Sequence, residues 1–221
     1  MNIFATLSER LSAILDIGGP VVLVLLALSV VSVGMIIFKL VQFAANGVGR
    51  RAKFTQGLDA WDNRDLAGAK AALRASKNGR AHIISAALDQ IGSNANAHDR
   101  VEAELSAEFD RLERGFRVLD SIAQIAPLLG LFGTVLGMID AFRALQAAGT
   151  AVDPSLLAGG IWVALLTTAV GLAVAMPTQI MLTWLESRVD RERSLAVMAL
   201  ERAFCPLGGE TAQSRPIAHA V

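Results

Sequence analysis

Three uncharged apolar runs constrain the fold of this chain more than any other feature. They cover residues 17–38, 121–139 and 154–185, and each reaches the roughly 20 residues that a helix needs to cross about 30 Å of hydrocarbon. The mean hydropathy is +0.49 although 18% of the residues are charged. The apolar residues must therefore be concentrated in part of the chain, and these runs are where they lie. The sequence therefore predicts an all-α integral membrane protein with three transmembrane helices.

Basic residues lie mainly on one side of the predicted membrane, although the formal net charge is +0. Those next to the ends of the spans are Lys39, Arg50, Arg51, Lys53, Arg111, Arg114, Arg117, Arg188, Arg191 and Arg193. The other side holds Arg10 and Arg143. By the positive-inside rule, the N-terminus and the loop at residues 149–153 face outward, and the middle segment and the C-terminus are cytoplasmic. The balanced net charge argues against a nucleic-acid partner.

The N-terminal part of the chain divides at Gly18 and Gly19. Residues 1–16 show helical apolar spacing and predict an amphipathic helix at the outer interface. The first transmembrane helix then covers residues 17–43. It lacks a basic flank before it and a small-residue cleavage site after it, so we expect it to be retained rather than removed as a signal peptide. Its many branched residues predict a lipid-facing position outside the helix bundle.

The rest of the chain predicts long helices and a polar insertion. The ranges are 44–98 for a cytoplasmic helical insertion, 99–148 for a long helix that includes the second span, 149–153 for the outer loop, 154–205 for a long helix that includes the third span, and 206–221 for a disordered cytoplasmic tail. Breaks within the insertion are expected at Asn63, at Asn78 and Gly79, and at residues 92–96. The second and third helices would extend into a cytoplasmic helical bundle.

Small residues recur on one face of the second and third spans. Ala126, Gly130 and Thr134 follow one another at every fourth position, and Gly160, Ala164 and Thr168 do the same. Such strips allow helix backbones to approach closely. The residues that we predict to pack helices together are Gly130, Gly133, Gly137, Gly160, Ala164, Gly171 and Pro177.

Side chains that could catalyse a reaction or bind a metal do not form a recognisable set in the sequence. The spans lack the Ser, His and Asp, Cys and His, or His and Glu combinations of hydrolases and metalloenzymes. His82 and His98 have no companion ligands at metal spacing, and Cys205 is the single cysteine. We therefore expect no enzymatic activity, no cofactor and no metal site.

The polar residues within the spans leave threonine as the main candidate for function. Thr134 and Thr168 lie near the middle of their spans and share a face with the small residues, which predicts a position lining a pore. The alternative is that each hydroxyl bonds back to a carbonyl of its own helix, as is common in membrane helices.

The stretches at residues 126–138 and 164–177 resemble the signature spans of the MotA/TolQ/ExbB proton channel family. The resemblance extends to the three spans, the cytoplasmic insertion and the long second and third helices, and it is closer to the ExbB branch than to MotA, which has four spans. It implies a ring, pentameric in relatives, whose pore holds the helices of an ExbD-like or TolR-like single-span partner. Thr134 and Thr168 match the pore threonines of the family.

The resemblance also implies a role in the bacterial inner membrane. An ExbB-like subunit couples proton flow, through its partner, to a TonB-like protein and outer-membrane import, and a TolQ-like subunit acts through a TolA-like protein in envelope maintenance. One departure is Val163, which stands where relatives usually carry glutamate. The spans thus lack a titratable group, so a partner must supply the carboxylate, the ion differs, or the chain is a non-conducting membrane scaffold.

Overall fold

The computed structural model describes residues 3–90, 96–148 and 154–205, and within these ranges the regular structure is entirely helical. The helices are α1 (Ile3–Ala45), α2 (Ala52–Asp62), α3 (Leu66–Arg74), α4 (Ala81–Gln90), α5 (Ala97–Glu113), α6 (Phe116–Ala148) and α7 (Pro154–Phe204). The predicted all-α fold class is confirmed. The predicted outer loop at residues 149–153 and the predicted disordered tail at residues 206–221 lie outside the described residues.

Three helical stretches of the described chain are long and apolar enough to cross a membrane. They are Gly19–Ala45, Ala97–Ala147 and Leu157–Phe204, and each covers all or most of one of the uncharged runs found in the sequence. Length and composition therefore confirm the prediction of an integral membrane protein with three spans.

The chain forms two compact units. The first, called the apolar unit here, comprises Met1–Lys39 and Gly115–Trp184, and the second, the polar unit, comprises Leu40–Arg114 and Leu185–Val221. In the apolar unit, α1, α6 and α7 share one buried cluster. Its members are Val21, Leu25, Ile122, Ala126, Val174 and Ala175. In the polar unit, the short helices α2 to α5 and the end of α7 bury a second set of residues, which includes Phe54, Leu73, Ile84, Phe109, Val189 and Leu200.

The backbone of α1 kinks at Gly19, which has φ 66° and ψ −174°. This conformation lies outside the helical region and is open to glycine because glycine has no Cβ. Pro20 follows directly, at the first position of the next helical stretch, where a missing N–H costs nothing. The interruption thus coincides with the glycine pair near the start of the first apolar run.

The stretch expected to be one helix at residues 99–148 is divided in the structure. Helix α5 ends at Glu113 and α6 begins at Phe116. Between them Gly115 takes φ 99°, which L-residues with a side chain rarely adopt. The apolar stripe continues through this point, so a periodicity argument alone finds no boundary, and the single glycine provides the break.

A buried carboxylate joins three segments of the polar unit. Glu192 of α7 is 2% exposed and accepts hydrogen bonds from the Gly49 N–H at 3.0 Å, the Asn78 side-chain amide at 3.0 Å and the Arg80 guanidinium at 2.7 Å. Arg51 adds a longer contact of 3.3 Å. The segment after α1 and the segment between α3 and α4 are therefore both fixed to α7.

Candidate functional site

The closest helix contact in the apolar unit joins α6 to α7. A methyl group added at Gly133 would lie 2.6 Å from the Thr167 hydroxyl oxygen, and one added at Gly160 would lie 2.4 Å from the Ala141 Cβ. Contacts this short leave no space for a side chain at either glycine. The small residues thus bring the two helices together along their backbones, which is the arrangement expected of such strips.

The contact runs antiparallel along the two helices. Gly171 faces Ala126 and Gly130 at one end, Gly137 faces Ala164 further along, and Gly160 faces Ala141 at the other end. Six of the seven residues predicted to pack helices therefore lie in a contact within one chain. They are Gly130, Gly133, Gly137, Gly160, Ala164 and Gly171. Pro177 is exposed and lies outside this contact.

Thr167 places its hydroxyl inside this contact. The side chain is 2% exposed, and its oxygen lies 2.7 Å from the Ala164 carbonyl oxygen of its own helix and 3.1 Å from the Gly130 carbonyl oxygen of α6. The single hydroxyl proton can be donated to either carbonyl or shared between them. Thr167 therefore links the two helices by a polar interaction in addition to close packing.

The sequence indicates that Thr167 shares a helix face with the small residues of α7. Counting in steps of four alone does not find it. Gly160, Ala164, Thr167 and Gly171 follow steps of four, three and four, which keep residues on one face of a helix with 3.6 residues per turn. Steps of four residues exceed one turn of 3.6, so each step rotates the position further around the helix. In the series Gly160, Ala164 and Thr168, the last residue therefore lies away from the centre of the contact. The same drift separates Thr134 from Gly130 and Gly133 on α6.

Thr134 is turned back to its own helix. Its hydroxyl donates a 2.6 Å hydrogen bond to the Leu131 carbonyl oxygen, and the side chain is partly exposed in the single chain. This is the back-bonding geometry that was the alternative to a pore-lining role. The role of Thr134 in a pore stays a prediction.

Thr168 differs from the other threonines of the contact. Its hydroxyl oxygen is buried and has no hydrogen-bond partner within the described part of the chain. A methyl group on Gly130 would lie 3.0 Å from the Thr168 Cα, so the residue sits at the edge of the α6 contact. An unsatisfied buried hydroxyl is costly, and this one keeps both its donor and its acceptor capacity for another group.

Helix α1 joins the site through a pair of hydroxyls. Ser32 and Thr178 are both 2% exposed, and their oxygens lie 2.6 Å apart. Thr178 also lies 2.8 Å from the Val174 carbonyl oxygen, so Thr178 can donate to that carbonyl while it accepts from Ser32. Other faces of α1 are open, with Val30 73% and Phe38 61% exposed, which accords with the lipid-facing position predicted for it.

His98 in the polar unit has neighbours that the sequence analysis did not find. Its Nδ1 lies 3.6 Å from an Asp99 carboxylate oxygen and 4.0 Å from one of Glu102, and its Nε2 lies 3.6 Å from one of Glu201. The i,i+4 spacing of His98 and Glu102 was visible in the sequence, whereas Glu201 comes from α7 through folding. Asp99, Glu102 and Glu201 are well exposed, so the arrangement is that of a surface ion-pair group.

The fold and the α6–α7 contact define a class: an all-α integral membrane protein in which two spans pack backbone to backbone, with threonine as the principal polar residue of the contact. Comparison with known families identifies the class more closely. The chain belongs to the MotA/TolQ/ExbB proton channel family, whose model matches residues 75–198 and so includes all of α6 and most of α7. The resemblance of residues 126–138 and 164–177 is thereby confirmed.

Individual relatives come from both the ExbB and the TolQ branches. An ExbB homolog of Methanothermobacter thermautotrophicus is 41% identical over 112 residues, which cover 50% of this chain and 39% of the relative. Biopolymer transport protein exbB1 of Vibrio cholerae is 44% identical over 73 residues, 33% of this chain and 32% of the relative. The Tol-Pal system protein TolQ of Haemophilus influenzae is 38% identical over 86 residues, 39% of this chain and 37% of the relative. The chain thus spans less than two fifths of the length of these curated relatives.

Proposed function

We propose that this chain is the channel subunit of a bacterial inner-membrane motor that converts proton flow into mechanical work. The observation that carries the proposal is the family match across α6 and α7, the two helices that the small-residue contact joins. In this proposal the N-terminus lies in the periplasm and the C-terminus in the cytoplasm, as the distribution of basic residues predicts.

The working complex is proposed to be a homo-oligomeric ring, pentameric by the family resemblance. The second and third spans of each copy line a pore that holds the helices of an ExbD-like or TolR-like single-span partner. Thr168 is our first candidate for a pore group, because its hydroxyl has no partner among the described residues and could bond to another group once a side-chain rotation exposes it. Thr134 is the second candidate, since its hydroxyl could serve another group if its bond to the Leu131 carbonyl were broken.

The proton carrier must come from outside this chain. The three uncharged runs hold no carboxylate, and Val163 occupies the position next to Ala164 where relatives usually carry glutamate. A threonine hydroxyl does not ionise near neutral pH, so it cannot hold and release the transported proton. A carboxylate of the partner at membrane depth requires polar neighbours, and the Thr168 hydroxyl can serve as one.

The output of the complex follows the ExbB branch in our proposal, through a TonB-like protein to outer-membrane import. The first relatives are named as ExbB proteins, which favours this output over a TolQ-like role through a TolA-like protein. The TolQ relative keeps the second output as an alternative. A non-conducting scaffold is the alternative of another class, for which Val163 is the main argument.

A flux measurement tests the channel. The full chain would be reconstituted in liposomes with and without an ExbD-like single-span protein from the same organism, and proton entry would be followed with an internal pH-sensitive dye. We expect flux that depends on the partner and falls at least tenfold with Thr168→Val. Thr183→Val is the matched control, because Thr183 is exposed in the same apolar run. Absence of flux from a correctly assembled complex would favour the scaffold.

A further inference from the structure

A cavity of about 490 Å³ lies in the polar unit where the segment after α1 meets the segment after α3. Its lining residues are Gly49, Arg50, Arg51, Ala52, Lys53, Ala75, Ser76 and Lys77. The proposed channel function uses none of them. Four of the eight carry a positive charge and none carries a negative one, so the charge around the cavity favours an anion.

Most of these charges are not neutralised by the described part of the chain. Arg51 pairs with Glu192 at 3.3 Å, but that carboxylate also pairs with the buried Arg80 at 2.7 Å. Arg50, Lys53 and Lys77 are exposed and form no ion pair with any carboxylate of the described residues. The positive charge around the cavity therefore exceeds the one negative charge beside it.

The first turn of α2 adds to the positive potential. Its N-cap residue Arg51 makes no side-chain capping bond, and the turn contains no acidic residue. The first N–H groups of a helix have no partner within the helix and carry the positive end of its dipole. Lys53 stands in this turn, where a cation is unfavourable unless an anion is bound nearby. The helix start and the lysine thus favour the same kind of ligand.

The walls of the cavity are held in place before any ligand binds. The Gly49 N–H donates to Glu192 at 3.0 Å, and the Gly79 N–H donates to the Asn46 carbonyl oxygen at 3.1 Å. The first bond fixes the segment that carries Arg50 and Lys53 to α7, and the second joins that segment to the one that carries Lys77. A site built in this way requires little reorganisation on binding.

We propose that this cavity binds the phosphate group of an anionic phospholipid. A phosphodiester matches the several cations and free N–H groups, and the volume lies in the range of ligand pockets. The lipid source follows from chain connectivity. Arg50 is five residues after Ala45, where the candidate span Gly19–Ala45 ends, and five residues reach at most about 18 Å. The lining of the cavity therefore begins within that distance of the end of the candidate span, and basic residues next to a span attract anionic lipids.

Lipid binding by the purified full chain tests the site, with no partner protein needed. Short-chain phosphatidylglycerol would be titrated into the chain in a non-ionic detergent, and bound lipid would be counted by native mass spectrometry. Phosphatidylcholine of the same chain length is the comparison lipid. We expect preferential binding of phosphatidylglycerol that weakens as salt is added and falls at least tenfold in the triple variant Arg50→Gln, Lys53→Gln, Lys77→Gln.

A second triple variant controls for the loss of charge alone. Arg64→Gln, Arg74→Gln and Arg100→Gln remove three exposed cations of the same unit that do not line the cavity, and this variant should bind as the parent does. Equal losses in both variants, or no preference over phosphatidylcholine, would overturn the site. Displacement of the lipid by inorganic phosphate at equal concentration, but not by chloride at matched ionic strength, would overturn the lipid assignment and make free phosphate the ligand.

Discussion

The Arg80 guanidinium donates a 2.7 Å hydrogen bond to the Glu192 carboxylate, and both side chains are 1% exposed. A buried pair of this kind costs desolvation energy when it forms, and it becomes strongly destabilising when one partner is removed and the other is left charged. The pair is 112 residues apart in sequence. It therefore reports on whether the α3–α4 segment has docked on α7.

Arg80→Met should destabilise the polar unit by about 3–5 kcal/mol, because Glu192 would remain buried without its main counterion. The double variant Arg80→Met, Glu192→Gln should lose less unfolding free energy than the sum of the losses in the two single variants. The reason is that the double variant leaves no buried charge of this pair. Denaturant unfolding of the four proteins in detergent measures this coupling. Strict additivity would show that the pair contributes nothing specific.

Stability should also depend on pH through Glu192, which lies about two helical turns beyond the uncharged run at residues 154–185. Burial raises the pKa of the Glu192 carboxyl, but the charge of Arg80 and the hydrogen bonds from Asn78, Gly49 and Arg80 outweigh it, so the pKa lies below its ordinary value of 4.5. A lowered folded-state pKa gives stability that is fully present above 4.5 and is lost as pH falls through the folded-state value. Melting temperatures measured from pH 7 downward should fall further in the parent than in Glu192→Gln, which keeps only the loss due to other carboxylates.

Gly133→Leu should destabilise the apolar unit itself. The added side chain would meet Thr167, because even a methyl group there would lie 2.6 Å from the Thr167 oxygen and 2.7 Å from its Cβ. We expect a loss of about 1–3 kcal/mol, the usual range for overpacking. The measurement is thermal unfolding in detergent, with oligomer size followed in parallel.

Gly159→Leu is the matched control for that change, since no described atom lies within 4 Å of a Cβ at Gly159. It should leave stability unchanged or raise it slightly, because leucine favours a helix more than glycine does. Similar losses from both variants would mean that glycine content, rather than the α6–α7 contact, sets stability.

Thr167→Val and Thr168→Val should separate structure from function. Thr167→Val removes the hydroxyl that reaches the Gly130 carbonyl, so stability should fall, by about 0.6–1.7 kcal/mol for a hydrogen bond between membrane helices. Thr168→Val removes a hydroxyl without a described partner, so stability should hold while partner-dependent proton flux falls. Unfolding and flux assays on the same preparations decide the matter. The opposite pattern would assign the pore role to Thr167.

Thr178 is not a neutral reference in such experiments. The sequence places it beyond Pro177, near the end of the span, where a hydroxyl is expected to matter little. In the structure its oxygen lies 2.6 Å from that of Ser32 on α1. Thr183, which is exposed, is therefore the better control.

The length of the three apolar runs and their lack of charge were enough to predict the all-α class and the three spans. The reason is that a chain in the bilayer must satisfy its backbone hydrogen bonds internally, which a helix does within one segment. The break at Gly115 was not predictable in this way, since one glycine within an apolar stripe is also tolerated inside helices. The prediction of close packing by Gly130, Gly137 and Gly160 needed only the absence of side chains. To predict that Thr167 places its hydroxyl in the α6–α7 contact, the direction of the packing face of α7 would have to be known to within a fraction of a helical turn.

Long-range polar contacts were beyond the sequence for a different reason. Glu192 and Arg80 each look like ordinary surface residues of a charged helical region, and neither periodicity nor spacing marks them as partners. The same is true of Ser32 and Thr178. Only the folded chain brings such pairs together, because their separation in sequence exceeds 100 residues.

The glycines and alanines between α6 and α7 also bear on how this protein could respond to force. Such residues have no side-chain rotamers to lose on packing and none to rearrange under load. A contact made from them deforms less readily than one made from leucine or methionine, whose side chains can slide and repack. Under load, α6 and α7 should therefore tilt or rotate together as one rigid body. Any deformation of the assembly would then occur at contacts other than this one.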